Sequence, residues 1–258
     1  MIENYIKKQQ EKLTSGFINR RQFMMSVLAT GIAIPTALSL ASQAMAATPK
    51  KGGVLRHATG YGSTDDSLDP GTSANSFSQN LIYTRGNHLT EVSKDGELVG
   101  ELAESFEASN NAKTWVFNLR QGVEFHNGKS LTADDVIATM ESHGGENSKS
   151  SAKGNLSSVV SIKKDGDNRV IFELSEGNAD FAYLASDYHI MINASKDGKI
   201  DPLDPANGTG AYMIEKYEPG VKAVGKRNPN YFKEGHANFD EVQLISVLDA
   251  AARQSAIM

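Results

Sequence analysis

The 258-residue sequence contains no cysteine, which removes disulfide frameworks, Cys-ligated zinc, iron–sulfur clusters and cysteine nucleophiles together. Basic residues are in the minority: 26 Lys and Arg stand against 31 Asp and Glu, a net charge of −5. A nucleic-acid partner needs a basic surface to neutralise phosphates, and the balance argues against that class. Aromatic residues make up only 7% and charged residues 22%, the balance of an ordinary α/β or α+β globular protein. Catalytic signatures are missing as well. No Gly-x-Ser-x-Gly elbow, His-Glu-x-x-His helix or P-loop occurs. Ser150 and Lys153 have a Ser-x-x-Lys spacing, but the partner Ser-Asp-Asn and Lys-Thr-Gly elements are absent, so the pair reads as a solvated loop. Gly60/Gly62 and Gly208/Gly210 lack the third glycine and acid of a dinucleotide site and read as turn glycines. His57, His88, His126, His143, His189 and His236 are too scattered for a local metal motif, and each reads as a surface or partly buried polar residue. Asp65, Asp66 and Asp69 lack the terminal Glu of a calcium loop and read as turn caps. No cofactor and no metal is implied.

What is present begins with an unusual N-terminus. Lys7, Lys8, Lys12, Arg20 and Arg21 precede a stretch without any charged side chain that lasts until Lys50. Its apolar residues, from Met24 through Leu40, are diluted by Ser26, Thr30, Gly31, Pro35, Thr36, Ser39 and Ser42, and Ala44-Met45-Ala46 forms a small-x-small cleavage pattern. A membrane anchor needs about 20 predominantly apolar residues, which this run lacks. The spacing predicts a secretory signal over residues 1–46, cut between Ala46 and Ala47. Arg20 and Arg21, followed by Gln22, Phe23 and apolar residues, resemble the twin-arginine export signal, which implies a bacterial export translocase as partner; Met25 stands where that pattern often has Lys. Without residues 1–46 the chain loses five basic and two acidic residues, leaving 21 against 29 and a net charge of −8.

The remaining 47–258 reads as mixed strand and helix. A first strand includes Val54, Leu55, His57 and Ala58, and a helix ends near Leu81–Tyr83. Three hairpins are predicted: Phe106 to His126 about Asn110-Asn111, with Trp115, Phe117 and Leu119 on one face; Val159–Ile162 with Val170–Leu174; and Tyr212–Tyr217 with Val221–Arg227 across Glu218-Pro219-Gly220. Thr132 and Asp135 predict a capping box opening a helix through Val136, Ile137 and Met140. Val242–Val247 predicts a buried strand leading to Asp249, the cap of a last helix that reaches Met258 without a C-cap glycine, so the chain is expected to be a fragment of a longer one.

The segment Leu119 to Lys129 followed by Leu131 to Val136 resembles a signature of extracellular solute-binding family 5, the oligopeptide and dipeptide receptors of ABC importers. Lys51 to Arg56, Leu102 to Glu107 with Trp115, Phe117 and Leu119, Gly208 to Tyr212 and Arg227 to Phe232 resemble further family elements in the family's order, with Ala211 in place of the commoner proline. The resemblance implies an α/β fold of the periplasmic-binding-protein type II kind. Such proteins have two lobes closing on a ligand, with an extra subdomain on the first. Residues 47–258 would be that first lobe, truncated before the second. It also implies a periplasmic receptor, not an enzyme, that hands a small ligand, most simply a peptide, to an inner-membrane ABC permease. Ligand contacts are expected from Tyr61, Gly62 and Ser63 after the first strand and from Asp187 and Tyr188, where Asp187 would face a ligand amino group. The other class that stays open is an exported hydrolase using cleft carboxylates and histidines.

Overall fold

The computed structural model describes residues 2–14, 17–46 and 50–257. The chain divides into two units, 1–51 and 52–258.

In the first unit, helices α1 (Ile2–Thr14), α2 (Arg20–Leu28) and α3 (Ile34–Ala46) pack around Leu13, Phe23, Val27, Ala37 and Ala41. Asn19 starts α2 with a reciprocal cap: its Oδ1 accepts from Gln22 N at 3.0 Å, and Gln22 Oε1 accepts from Asn19 N at 2.9 Å. Gly31, at φ +86°, breaks the apolar stretch before α3. Among the described residues no helix is long and apolar enough to cross a membrane.

The second unit begins with β1 (Val54–Thr59), followed by α4 (Ser76–Arg85), the short hairpin β2 (Thr90–Val92) and β3 (Leu98–Gly100), and then β4 (Ala103–Ser109), β5 (Thr114–Leu119) and α5 (Ala133–Gly144). β6 (Val159–Lys164), β7 (Arg169–Leu174), α6 (Phe181–Leu184) and the minimal pair β8 (Ser195–Lys196) and β9 (Lys199–Ile200) come next. The chain returns through β10 (Tyr212–Glu218), β11 (Lys222–Arg227), β12 (Glu241–Ser246) and α7 (Ala250–Ile257). The fold is α/β with two four-stranded sheets, ordered β1-β12-β11-β10 and β4-β5-β7-β6.

The three predicted hairpins form, with Asn110, Asn111 and Ala112 at positive φ in the first turn and Gly166 and Gly220 in the other two. The first is shorter than predicted. Its strand stops at Leu119, and Gly122 and Gly128 then turn a loop closed by the Glu124–Ser130 bridge. Trp115, Phe117, Phe172 and Phe181 stack and cross in the core of the second sheet, and Met140 and Val136 of α5 cover it. The predicted capping box opens α5: Asp135 Oδ2 accepts from Thr132 N at 2.9 Å. The first sheet buries Tyr212, Ile214, Ala223, Val242 and Leu244 against Phe77 and Leu81 of α4.

Two sequence expectations are corrected. Gly208 and Gly210 are not turn glycines: neither has positive φ, and a Cβ on either would overlap the backbone of Arg85, so their role is close approach of two chain segments. Likewise Gly62 is needed for space, since its Cβ would stand 2.6 Å from Ser246 Oγ. The second correction concerns histidines: His88 and His143 are buried, with His88 Nδ1 3.4 Å from Glu101 Oε2 and His143 Nδ1 2.7 Å from Ser150 Oγ.

Candidate functional site

β1 and β12 are parallel neighbours with Thr59 beside Ser246, so both strands end at the same edge of the sheet. In sheets with parallel strands, ligands bind outside the carboxyl ends, where loops diverge and backbone groups are unspent. Thr59 O accepts from Val247 N at 2.8 Å and Thr59 Oγ1 donates to Tyr61 O at 3.1 Å, which turns the chain away after the last strand pair. Gly62 then slides under Ser246 and Gly220 O, bringing the β10–β11 turn against the loop. Tyr61 is thrown outward and is 68% exposed, whereas Ser246 Oγ is buried beneath the loop with no partner among the described residues.

The other predicted residues are tied to this loop by a chain of hydrogen bonds. Asp66 Oδ2 accepts from Ser63 N at 2.8 Å and Oδ1 from Asn75 Nδ2 at 2.5 Å. Asn75 Oδ1 caps α4 through Phe77 N and Ser78 N. Ser78 Oγ meets Ser73 Oγ at 2.8 Å, Ser73 O lies 3.0 Å from His189 Nε2, and His189 Nδ1 lies 2.7 Å from Asp187 Oδ1. Ser63 and Asp187 are therefore two ends of one network anchored on the α4 cap. Asp187 spends both oxygens within the protein: Oδ1 also accepts from His189 N at 2.9 Å and Oδ2 from Asn155 Nδ2 at 3.3 Å. Tyr188 is partly exposed, its ring 3.9 Å from that of His189, and its phenol is pushed up by burial and by the charge of Asp187. Among the described residues no three His, Asp or Glu side chains converge as a metal site.

Residues 97–258 match the profile of bacterial extracellular solute-binding proteins, family 5 Middle. The chain belongs to this family. It is 27% identical over 200 residues to the oligopeptide-binding protein AppA of Bacillus subtilis, covering 74% of this chain and 35% of that one. It is 27% identical over 226 residues to the probable D,D-dipeptide-binding periplasmic protein DdpA of Escherichia coli, covering 82% and 42%. Among solved structures, the periplasmic binding protein AgaA of A. tumefaciens R10 in complex with agropinic acid superposes with a TM-score of 0.70 at 26% identity, over 79% of this chain and 42% of that one. The chain thus spans about two-fifths of the length of these relatives.

In this family 5 chain the residues that sequence reasoning missed are buried ones. Arg85, at the end of α4, is fully buried and donates to three carbonyls: Nη1 to Asp204 O at 3.0 Å, and Nη2 to Leu68 O at 2.6 Å and Pro202 O at 3.1 Å. Burial lowers its pKa to about 10, with the charges of Asp204 and Asp69 acting against that shift. It staples the loop after β1 to the segment entering Gly208 and Gly210. Nothing in its local sequence distinguishes it from a surface arginine. His143 Nδ1 lies 2.7 Å from Ser150 Oγ, and Lys153 Nζ turns away to Glu146 O at 2.6 Å, so the Ser-x-x-Lys residues do not meet through their side chains. Asp66 and Asp69 cap turns as expected, Asp69 Oδ1 accepting from Gly71 N at 2.9 Å. In the first unit, Arg20 and Arg21 are exposed at the head of α2, and Phe23 is fully buried. Ala46 ends α3, and Ala47 lies outside the described residues.

Proposed function

We propose that this chain supplies one lobe of an exported receptor that captures a small ligand, most simply a peptide, between two lobes and delivers it to an ABC permease of the inner membrane. The observation that carries the reading is the family 5 match over residues 97–258, which lies in the same unit as the parallel strand ends of β1 and β12. Two of the three compared relatives carry peptide-binding names, which favours a peptide over the agropinic acid of the third. Tyr61 offers a ring face, Gly62 and Ser63 backbone and hydroxyl groups, and Tyr188 a second ring, while Asp187 supplies negative charge to a ligand amino group from behind its turn. Residues 1–46 act as a twin-arginine export signal read by the translocase through Arg20, Arg21 and Phe23, and cleavage falls between Ala46 and Ala47. Exposure of both arginines supports this, whereas Phe23 must leave its packing to be read.

Because lobe closure draws its energy from contacts to both lobes, a single lobe binds weakly. A thermal-shift series of the 258-residue chain against peptide, opine, sugar and nickel-complex panels, with products followed by mass spectrometry, tests the reading. Stabilisation by peptides at high concentration without turnover is expected. Product formation would replace the receptor by a hydrolase.

A further inference from the structure

Five positions in the chain put Asn or Asp directly before Gly: Asp95-Gly96, Asn127-Gly128, Asp165-Gly166, Asp197-Gly198 and Asn207-Gly208. Glycine leaves its own backbone nitrogen unshielded by a Cβ, so in each pair that nitrogen can attack the side-chain carbonyl carbon before it. The attack closes a succinimide ring. For Asp a bond forms between Gly N and Cγ, the Cγ–O bond of the protonated carboxyl breaks, and the hydroxyl leaves with the amide proton as water; for Asn the leaving group is ammonia. Water then adds to the ring, and opening at the main-chain carbonyl leaves an isoaspartate, whose backbone runs through Cβ and Cγ. In an unfolded chain the Asn pairs go first, because an amide carbon accepts the nucleophile where an ionised carboxylate repels it. Folding changes that order, since it decides in each pair whether the side chain and the nitrogen are free.

Four of the pairs are tied. Asn127 Nδ2 donates to Asn207 Oδ1 at 3.2 Å, Asn127 Oδ1 accepts from Lys129 N at 3.0 Å, and Gly128 N is spent on Phe125 O at 2.8 Å. Asn207 is buried, its Nδ2 donates to Asp201 O at 2.7 Å, and Gly208 is pressed against the Arg85 backbone. Both oxygens of Asp95 lie 2.9 Å from Lys94 Nζ, and Gly96 N donates to Ser93 O at 2.9 Å. Asp165 Oδ2 accepts from Arg169 Nη1 at 2.7 Å. Asp197-Gly198 differs. It forms the two-residue turn between β8 and β9, where both residues are exposed and both have positive φ, 52° and 72°. Among the described residues the Asp197 carboxylate meets no donor and Gly198 N no acceptor. The pair lines an open cavity of about 360 Å³ with Lys129, Thr132 and Ser195, so water reaches both reacting groups. Asp197 also bears the strain of a side chain in the left-handed region, which favours leaving that conformation.

We propose that Asp197 is a site of covalent modification, converting to isoaspartate through a succinimide with Gly198 ahead of the other four pairs. The site is separate from Tyr61–Ser63 and does not depend on the receptor reading. Conversion lengthens the main chain of a two-residue turn by one carbon, so the pairing of Lys196 with Lys199 should be lost with it. In the test, the full 258-residue chain is aged folded at neutral pH beside a sample aged in guanidinium chloride, and isoaspartate is quantified as methyl acceptance from a protein-isoaspartate methyltransferase. Digestion with an endoproteinase that cuts before Asp and not before isoaspartate then locates it by mass spectrometry. The folded sample should first lose the cut between Lys196 and residue 197, with no change in mass, whereas the denatured sample should first gain mass at Asn127 and Asn207. Asp197→Glu, whose longer side chain cannot close a succinimide, should remove most of the folded chain's methyl acceptance. Earlier conversion at any of the other four pairs in the folded chain, a folded chain that accepts no methyl groups while the denatured one does, or undiminished acceptance in Asp197→Glu would each overturn the proposal.

Discussion

His189 Nδ1 lies 2.7 Å from Asp187 Oδ1, and the other nitrogen of the same ring reaches Ser73 O at 3.0 Å. Both partners are hydrogen-bond acceptors. This one side chain joins the Asp187–Tyr188 turn to the segment that leads into the α4 cap. His189→Ala is expected to cost about 1–3 kcal/mol, the usual penalty for stranding buried hydrogen-bonding groups. Hydrogen exchange at Ile190 N, which donates to Asp187 O at 2.8 Å, should rise in step. An unchanged exchange rate there would mean that the turn stands without the ring.

Asp135 should be the costliest single polar loss in the second unit. Its side chain is fully buried, accepts from Thr132 N at 2.9 Å and from Ser195 N and Oγ at 2.6 and 2.9 Å, and pairs with Lys129. Asp135→Ala strands those donors inside the fold and should lower stability by about 3–5 kcal/mol, read by urea denaturation. A loss under about 1 kcal/mol would show that water replaces the carboxylate.

Glycine substitutions separate space from conformation. Gly210→Ala drives a methyl into the Arg85 backbone and should cost about 3 kcal/mol or more. Gly166→Ala has open space and only a positive φ of 72° to bear, so about 1 kcal/mol is expected. Thermal midpoints of the two variants check the order.

His143 makes stability depend on pH. Burial lowers its pKa from 6.5 to about 4, with the charge of Asp69 acting against that shift and His189 adding to it, both to a smaller extent. Between those values the unfolded chain holds a proton on this ring that the folded chain does not. The ring's contribution is therefore complete above about pH 6.5 and is lost as the pH falls toward about 4, on the order of 3 kcal/mol in all. His143→Leu should flatten that part of the pH–stability curve. A curve that keeps its slope would assign it to another group.

Legibility in the sequence followed the range of the forces involved. The hairpins of Trp115, Phe172 and Tyr212 and the Thr132–Asp135 cap were readable because alternation, turn residues and capping act within a few residues. The parallel pairing of β1 with β12 was not, since Val54 and Glu241 carry no local mark of each other. The same holds for Arg85, His88 and Glu101, whose burial depends on partners far along the chain. Tyr61–Ser63 could be named because a strand followed by glycines marks a strand end, yet the network joining Ser63 to Asp187 runs through Asp66, which reads only as a turn cap, and through Asn75 and Ser73, which no local pattern singles out.

The central claim is that the strand ends of β1 and β12 receive the ligand, and hydrogen exchange of the chain with and without a millimolar pool of mixed tripeptides tests it most directly. Tyr61→Ala serves as the control, because its exposed ring should cost stability no more than about 0.5 kcal/mol while weakening binding. The expected result is slowed exchange at residues 60–63 and 246–248, diminished in Tyr61→Ala, with the peptides recovered intact. Protection confined to other segments, or peptides recovered cleaved, would contradict it.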